Sequence, residues 1–172
     1  MPRQIALLRG INVGGHKKVA MAKLRALMEE LGYRDVRTYV QSGNVVFTGP
    51  RRSAKQLEAA LADAFGFDVP VVLRTRDELA AIVRANPLRK LATDPAKHLV
   101  VFCAAKATVG LDPEDFAPET FTVRGREVYV WLPGGIGRSP LAKELLAKPL
   151  GRTSTARNWR TVEKLLELAD AD

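Results

Sequence analysis

Hydrophobic positions in the first half of the chain alternate between a period typical of strands and a period typical of helices. Apolar residues spaced three, four and seven positions apart predict one helix from Met21 to Leu31, closed by Gly32, and a second from Leu57 to Phe65, closed by Gly66. Short apolar or β-branched runs predict strands over Ile5–Arg9, Val36–Gln41, Val45–Thr48 and Val69–Leu73. The resulting order, βαββαβ, is that of the ferredoxin-like split motif.

The second half repeats this order less regularly. A third helix over Asp77–Ala85 leads into the polar, proline-bearing residues 86–97, which we expect to be a linker. Further strands are predicted over His98–Ala104, Phe121–Val123, Val128–Leu132 and Arg152–Ala156, with helices over Pro113–Phe116, over Pro140–Lys148 after an N-cap at Ser139, and after Asn158. We therefore predict an α+β fold of two tandem ferredoxin-like units, the second degraded, plus a C-terminal helix, with domains at 1–85 and 98–172.

Composition is that of an ordinary soluble protein with a basic excess. The 172 residues carry a formal net charge of +8, with 17 basic and nine acidic side chains in residues 1–100 and ten of each in residues 101–172. Such a balance favours phosphates, nucleic acid or acidic surfaces as partners, although a merely solvated basic surface is the alternative.

Membrane and secretory classes are not indicated by the sequence. The longest apolar run, Leu99–Ala105, is far shorter than the ~20 residues of a membrane helix, and no secretory signal is evident. The single cysteine, Cys103, lies within that run, so no internal disulfide can form, and we expect a cytoplasmic protein. The sequence does not determine the oligomeric state, and a monomer is compatible with it.

The most informative segment joins the first strand to the first helix. It contains Gly10, Gly14 and Gly15, which can adopt left-handed backbone conformations and turn N–H groups toward a ligand. Lys17 and Lys18 follow just before the helix, where positive charge opposes the helix dipole, and a bound anion would resolve that conflict. The spacing matches neither the Walker loop nor the dinucleotide fingerprint, so a purely structural turn is the alternative.

Chain topology predicts that a second polar turn meets this loop. In a right-handed βαβ crossover the first and second strands run parallel, so both end at one edge of the sheet. We expect polar groups of both segments to form one anion-binding or base-binding site, comprising Arg9, Gly10, Asn12, Gly14, Gly15, Lys17, Lys18, Gln41, Ser42 and Asn44. Alone, the turn Ser42-Gly43-Asn44 is ordinary hairpin chemistry.

A third segment adds candidate binding residues. Arg157, Asn158 and Trp159 offer hydrogen-bond donors and a stacking face before the last helix. The structural alternatives are a helix cap at Asn158 and an apolar lid formed by Trp159. Few combinations of residues could form a catalytic triad, because His16 and His98 are the only histidines. No cluster of residues has the spacing of metal ligands. No cofactor is indicated.

Four segments resemble the bacterial domain of unknown function 1697. They read LLRGINVGG at 7–15, KVAMAKLRALMEELGY at 18–33, VRTYVQSGN at 36–44 and TARNWRTV at 155–162. The resemblance implies ferredoxin-like α+β units and carries no assigned activity. It also implies that the signature positions of the family are Arg9, Gly10, Asn12, Gly14, Gly15, Gln41, Ser42, Gly43, Asn44, Arg157, Asn158 and Trp159.

Three functions remain open from the sequence. The first is a binder of a phosphate-bearing small molecule or nucleic acid through the basic, glycine-rich loop. The second is an enzyme acting on a small anionic metabolite, in which Arg9 and Asn12 hold the anion and His16 is the titrating group. The third is a protein-interaction module, which would present an exposed apolar patch and no anion affinity.

Overall fold

The protein is an α+β structure with two four-stranded antiparallel sheets and five α-helices. The computed structural model describes residues 1–172. The first half contains β1 Arg3–Leu8, α1 Met21–Glu30, β2 Arg34–Tyr39, β3 Asn44–Thr48, α2 Ala54–Phe65, β4 Val71–Thr75 and α3 Arg76–Arg84. The second half contains β5 His98–Cys103, β6 Thr120–Arg124, β7 Glu127–Trp131, α4 Pro140–Leu146, β8 Ser154–Asn158 and α5 Trp159–Asp170, with 3-10 turns at Pro113–Phe116 and Ile136–Arg138.

The first sheet has the strand order β2-β3-β1-β4. β1 pairs antiparallel with both β3 and β4, and β2 also pairs antiparallel with β3, so β1 and β2 run parallel as the topology predicts. Alternate residues of β1 and β3 pack with α1 and α2 in one hydrophobic core that includes Ala6, Leu8, Leu24, Val45, Phe47 and Leu61. A capping box at Ser53 and Gln56 starts α2, and Gly66 ends it in a left-handed conformation.

The second sheet has the order β6-β7-β5-β8, which is the same arrangement as the first when its strands are counted from β5. The connection from β5 to β6 contains only the 3-10 turn Pro113–Phe116, whereas the equivalent connection in the first sheet contains α1. The predicted N-caps are confirmed, because Ser139 Oγ accepts from Ala142 N at 2.9 Å and Asn158 Oδ1 accepts from Thr161 N at 2.9 Å. The first crossover of this half therefore lacks the α-helix that its counterpart in the first half contains, and the second has a shorter helix preceded by a 3-10 turn.

Two strands begin two residues later than predicted. β4 starts at Val71 rather than Val69, because Pro70 has no N–H to donate to a ladder. The Pro70 carbonyl instead accepts from the backbone N–H of Arg9 at 2.9 Å. β8 starts at Ser154 rather than Arg152, because Arg152 has φ +65° and cannot continue an extended strand.

The chain divides into a first unit, Met1–Ala80 with Leu165–Asp172, and a second unit, Ala81–Lys164. The expected linker 86–97 therefore lies inside the second unit, and the last turns of α5 belong to the first. Long-range bonds within the first unit account for the latter, since the Arg3 guanidinium donates to the Leu168 carbonyl at 3.2 Å and Arg76 Nε donates to Asp170 at 2.6 Å.

Counting charges by unit, instead of along the chain, changes where the basic excess lies. The first unit carries 13 basic and 11 acidic side chains, whereas the second carries 14 basic and eight acidic ones. The charge surplus that counting along the chain attributes to residues 1–100 therefore belongs mostly to the second unit.

None of the helices has the length and apolar character needed to cross a bilayer.

Candidate functional site

The glycine-rich loop, residues 9–20 between β1 and α1, folds into a miniature hairpin. Gly14 and Gly15 form its tip with φ of +60° and +76°, and Val13 and His16 pair across it. The backbone N–H of Asn12 donates to the Lys17 carbonyl at 3.1 Å below the tip. The predicted left-handed conformations of the loop glycines are confirmed, since Gly10 also has a positive φ of +72°.

The side chain of Asn12 ties this loop to its surroundings. Its Nδ2 donates to the Val19 carbonyl at 2.9 Å and to the Gln41 carbonyl at 2.8 Å, and its Oδ1 accepts from Val19 N at 2.9 Å. The amide is thus occupied by internal bonds at both ends, and φ is +56°. Asn12 positions the loop, whereas the sequence predicts it as a ligand contact.

The β2–β3 turn, residues 40–43, lies against the loop. The Gly43 carbonyl accepts from the backbone N–H of Leu8 at 2.9 Å, and a Cβ added to Gly43 would lie 2.7 Å from Ile11 Cδ1. Together with the bond from Asn12 to Gln41, these contacts confirm the predicted convergence of the two segments at one sheet edge. The close approach also explains why this turn contains a glycine with φ +88°.

The environment of Asn44 differs from that expected of a residue that contacts a ligand. It is fully buried, and its Nδ2 donates to the Tyr39 carbonyl at 2.8 Å and to Ser42 Oγ at 3.1 Å. A buried amide must be hydrogen-bonded, and these bonds meet that requirement by closing the turn. Asn44 therefore shapes the turn from inside and does not reach a ligand at the surface.

The exposed part of this edge is basic. Gly14, Gly15, His16, Lys17 and Lys18 are all exposed, as are Gly10, Gln41 and Ser42, and Arg9 is half-buried. Lys17 is held in place by a bond from its Nζ to the Asp68 carbonyl at 2.9 Å. The loop ends at α1, whose N-cap, Ala20, offers no side-chain hydrogen bond and whose first turn has no acidic residue.

Left-handed backbone is concentrated in these two segments. Gly10, Asn12, Gly14, Gly15, Lys17, Val40 and Gly43 all have positive φ, which is half of the 14 such residues in the chain. Val40, with φ +52°, is the strongest outlier, because a β-branched side chain clashes with its own backbone there. Backbone strain of this kind occurs preferentially at binding and catalytic sites.

The third predicted segment belongs to the second unit. Arg157 is buried, and its Nη1 donates to Thr155 Oγ1 at 2.8 Å and to the Ala156 carbonyl at 2.9 Å. Burial lowers the pKa of Arg157 to about 10, so it stays cationic at neutral pH. Asn158 caps α5, as its structural interpretation predicts.

A cavity in the second unit contains Trp159 and a partner that sequence reasoning missed. His98, the first residue of β5, stacks on Trp159, and both line a cavity of about 390 Å³ together with Asn86, Arg89 and Glu163. Trp159 Nε1 donates to Glu163 Oε1 at 2.7 Å. The strand register could have indicated this contact, because Leu99, next to His98, pairs with Asn158, next to Trp159.

Nucleophilic and metal chemistry have few candidates. Cys103 is fully buried in the core of the second unit and forms no disulfide. No group of three or more His, Cys, Asp or Glu side chains is arranged to hold a metal ion. His16 is exposed at the loop tip.

Comparison with known proteins places the chain in a family. The family model described as "Protein of unknown function (DUF1697)" matches residues 1–129, three quarters of the chain. The chain belongs to this family. The predicted resemblance to the domain of unknown function 1697 is thus confirmed. The matched range includes the glycine-rich loop and the β2–β3 turn and ends before Arg157.

A solved structure is similar over almost the whole length. The conserved bacterial protein SP0830 from Streptococcus pneumoniae shares 28% sequence identity with a TM-score of 0.71, over 98% of this chain and 99% of its own. The likeness therefore extends through both sheets and the C-terminal helix. No curated protein matches the chain.

Proposed function

We propose that the protein binds a phosphate-bearing ligand, either a small molecule or nucleic acid, at the glycine-rich loop. The observation that carries this proposal is the exposed tip of that loop. Gly14 and Gly15 are left-handed, and His16 and Lys18 are exposed beside them. Left-handed backbone beside cationic side chains is typical of anion-binding loops.

The adjoining helix supports the same ligand class. The first N–H groups of α1 have no side-chain cap, and no acidic residue of its first turn competes for them. Unsatisfied N–H groups and the helix dipole both favour an anion at this position. An anion would also offset the repulsion between Lys18 and the positive end of the helix.

The contacting groups in this proposal are fewer than the sequence indicates. The ligand would contact the backbone N–H groups of the tip, His16, Lys18 and Arg9. Asn12, Asn44 and the Ser42 hydroxyl form hydrogen bonds inside the loop and turn. Because Asn12 holds the loop in one conformation, binding would require little further ordering. Less ordering means that more of the interaction energy appears as affinity.

We further infer that both units are ferredoxin-like and that the protein works in the cytoplasm. Two observations support the ferredoxin-like classification. Both sheets have the same strand order, and the first unit has the element order βαββαβ from β1 to β4. A single buried cysteine suits a reducing compartment.

The decisive experiment is a thermal-shift and calorimetry panel of inorganic phosphate, nucleotides and short RNA and DNA. A ligand at 100 times its Kd should stabilise the protein by about 2.7 kcal/mol. The variants His16→Gln and Lys18→Gln should weaken binding, whereas Lys106→Gln, at an exposed lysine of the second unit, should not. Failure of every phosphate-bearing compound to bind, or equal affinity in all variants, would reject the proposal.

Salt dependence separates the two ligand classes. If nucleic acid binds, the logarithm of the affinity should fall linearly with the logarithm of salt concentration, with a slope that counts the phosphates contacted. A steep slope with little sequence preference would identify nucleic acid. One tightly bound nucleotide with a shallow slope would identify a small molecule.

A further inference from the structure

A cavity of about 600 Å³ lies on the second unit, where the 3-10 turn Ile136–Arg138 leads into α4. Small-molecule sites in proteins are cavities of roughly 300–1,000 Å³ with a largely apolar lining and a few polar groups. The lining here is of that kind, since it combines apolar side chains with two cations: Ile136, Pro140, Ala142, Leu146, Arg138 and Lys143. Both the size and the lining therefore fit a small-molecule site.

The apolar part of the lining is exposed to solvent. Ile136 is 51% exposed and Leu146 is 38% exposed, and neither belongs to the core of the second unit. The core side of α4 is formed instead by Leu141 and Leu145, which are buried. A single exposed apolar residue is normal on a protein surface, but two large ones that line the same cavity favour an apolar ligand.

The polar part of the lining is cationic and has no partner within the chain. Arg138 and Lys143 are both exposed, and neither forms an ion pair or a side-chain hydrogen bond. Residues 133–152 contain four basic side chains and one acidic side chain, Glu144, which does not line the cavity. A ligand in this cavity would therefore be stabilised by a negative charge of its own.

The backbone at the start of α4 is already occupied. Leu141 N donates to Glu119 Oε1 at 3.1 Å, and Ala142 N donates to Ser139 Oγ at 2.9 Å. Pro140, the first residue of the helix, has no N–H to donate. An anionic group in the cavity would therefore be held by the two cationic side chains and not by the helix terminus.

Gly137 leaves the cavity open on one side. It lines the cavity, its φ lies outside the left-handed region, and a Cβ added to it would meet nothing within 4 Å. Neither packing nor backbone conformation therefore requires a glycine at this position. Gly134 has the same freedom but does not line the cavity, so the two glycines provide a matched pair for mutation.

We propose that this cavity binds a small carboxylate with an apolar body, of the kind represented by a medium-chain fatty acid. The Arg138 guanidinium pairs with the carboxylate, Lys143 adds a second positive charge, and Ile136 and Leu146 cover the alkyl chain. A stable protein partner would need about 20–30 residues on this side of the interface, whereas eight residues line the cavity. The site is independent of the glycine-rich loop, which lies in the first unit.

Calorimetric titration of the full chain with octanoate at constant ionic strength tests the proposal, with two comparison ligands. Acetate keeps the charge but lacks the alkyl chain, and should bind at least about fiftyfold more weakly, since each buried methylene contributes up to about fourfold in affinity. Octyltrimethylammonium keeps the chain but reverses the charge, and should bind at least about tenfold more weakly. Equal affinity for octanoate and either comparison ligand would overturn the proposal.

The two glycines test the place of binding. Gly137→Asp and Gly134→Asp change the net charge by the same amount, but only the first puts a carboxylate beside the ligand. Gly137→Asp should weaken octanoate binding at least about tenfold, whereas Gly134→Asp should change it by less than about twofold. Equal effects of the two variants would show that octanoate does not bind in this cavity.

An isoleucine and a leucine of almost equal exposure test the apolar contact. Ile136→Ser should weaken octanoate binding about tenfold, whereas Leu91→Ser, at a leucine of the same unit that is 50% exposed, should not weaken it. Lys143→Gln should weaken binding severalfold, and Lys18→Gln, in the glycine-rich loop, should leave it unchanged. Loss of octanoate binding in Lys18→Gln alone would assign the carboxylate to the loop and overturn this site.

Methyl NMR provides a direct readout. The side-chain methyl resonances of Ile136 and Leu146 should shift on addition of octanoate, and those of Leu91 should not. Unchanged Ile136 and Leu146 resonances at saturating octanoate would overturn the proposal, even if the ligand binds elsewhere. Binding to vesicles of an anionic phospholipid, without any shift by octanoate in solution, would assign the patch to a membrane surface and would overturn it as well.

Discussion

The imidazole ring of His98 lies parallel to the indole ring of Trp159, with the ring centroids 4.7 Å apart and the planes inclined by 13°. His98 is 1% exposed, and its Nε2 is buried without a hydrogen-bond partner. Burial lowers the pKa of His98 to about 4, because the cationic form loses its hydration. The stacked ring is therefore neutral at physiological pH.

This stack predicts a loss of stability in mild acid. The unfolded chain protonates His98 below about pH 6.5, whereas the folded protein resists protonation until about pH 4. The free energy of unfolding should therefore fall as the pH drops from 6.5 toward 4, by at most about 3 kcal/mol from this residue. Trp131 and Trp159 both lie in the second unit, so tryptophan fluorescence during urea unfolding measures the relevant stability.

The variant His98→Phe isolates this contribution. It keeps an aromatic ring against Trp159 but cannot be protonated, so the pH dependence between 6.5 and 4 should become shallower than in the wild type. His16→Gln, which alters the only other histidine, serves as the control. A wild-type slope retained in His98→Phe would show that other groups cause the acid sensitivity.

The hydrogen bonds of the Asn12 side chain should contribute measurably to the stability of the first unit. Asn12→Ala removes the side-chain hydrogen bonds to Val19 and Gln41 and places alanine at φ +56°, so we expect a loss of about 2–3 kcal/mol. Asn12→Gly loses the same bonds but tolerates the backbone conformation, so its loss should be about 1 kcal/mol smaller. Circular dichroism during urea unfolding measures both, and equal losses would exclude a contribution from the dihedral angle.

Alanine substitutions at Gly43 and Gly10 together test the close approach of the loop and the turn. A Cβ on Gly43 would meet Leu8 Cβ at 2.8 Å and Ile11 Cδ1 at 2.7 Å, whereas a Cβ on Gly10 would meet nothing within 4 Å. Both glycines have similar left-handed φ, +88° and +72°. Gly43→Ala should therefore lose about 2–4 kcal/mol and Gly10→Ala only about 1 kcal/mol. Equal melting temperatures for the two variants would contradict the packing described for the turn.

The meeting of loop and turn could be predicted from the sequence because it depends only on chain direction. Two strands joined through a helix run parallel, so the exits toward Asn12 and Gln41 had to share one edge. Helix caps at Ser139 and Asn158 were equally predictable, since they follow from the side chain and its neighbours alone. The division into units was not, because the return of α5 depends on long-range bonds such as Arg76 to Asp170.

The role of each polar residue within the site was less predictable. Asn12 and Asn44 have the same amide chemistry as a ligand contact, and only the structure shows that internal carbonyls occupy both. That Arg74 lines one cavity with Arg51 and Arg52 is not evident from the sequence either, because Arg74 lies more than twenty positions further along the chain. It reaches the other two only because β3 and β4 end at the same edge.

Val40 offers a test of whether the strained turn serves binding. Its φ of +52° disfavours a β-branched residue, and its side chain is 48% exposed, so packing does not account for its presence. Val40→Asn should stabilise the first unit by about 1 kcal/mol, because asparagine tolerates the left-handed region. Val13→Asn, at an exposed valine outside that region, should give no such gain.

The ligand affinity of the Val40→Asn variant then distinguishes strain that serves function from strain that does not. If the turn helps to hold the glycine-rich loop in its binding conformation, the relaxed variant should be more stable in urea unfolding and bind phosphate-bearing ligands more weakly in calorimetry. Higher stability with unchanged affinity would limit the binding site to the loop itself. Lower stability in Val40→Asn would mean that the valine side chain makes favourable contacts that outweigh its backbone strain.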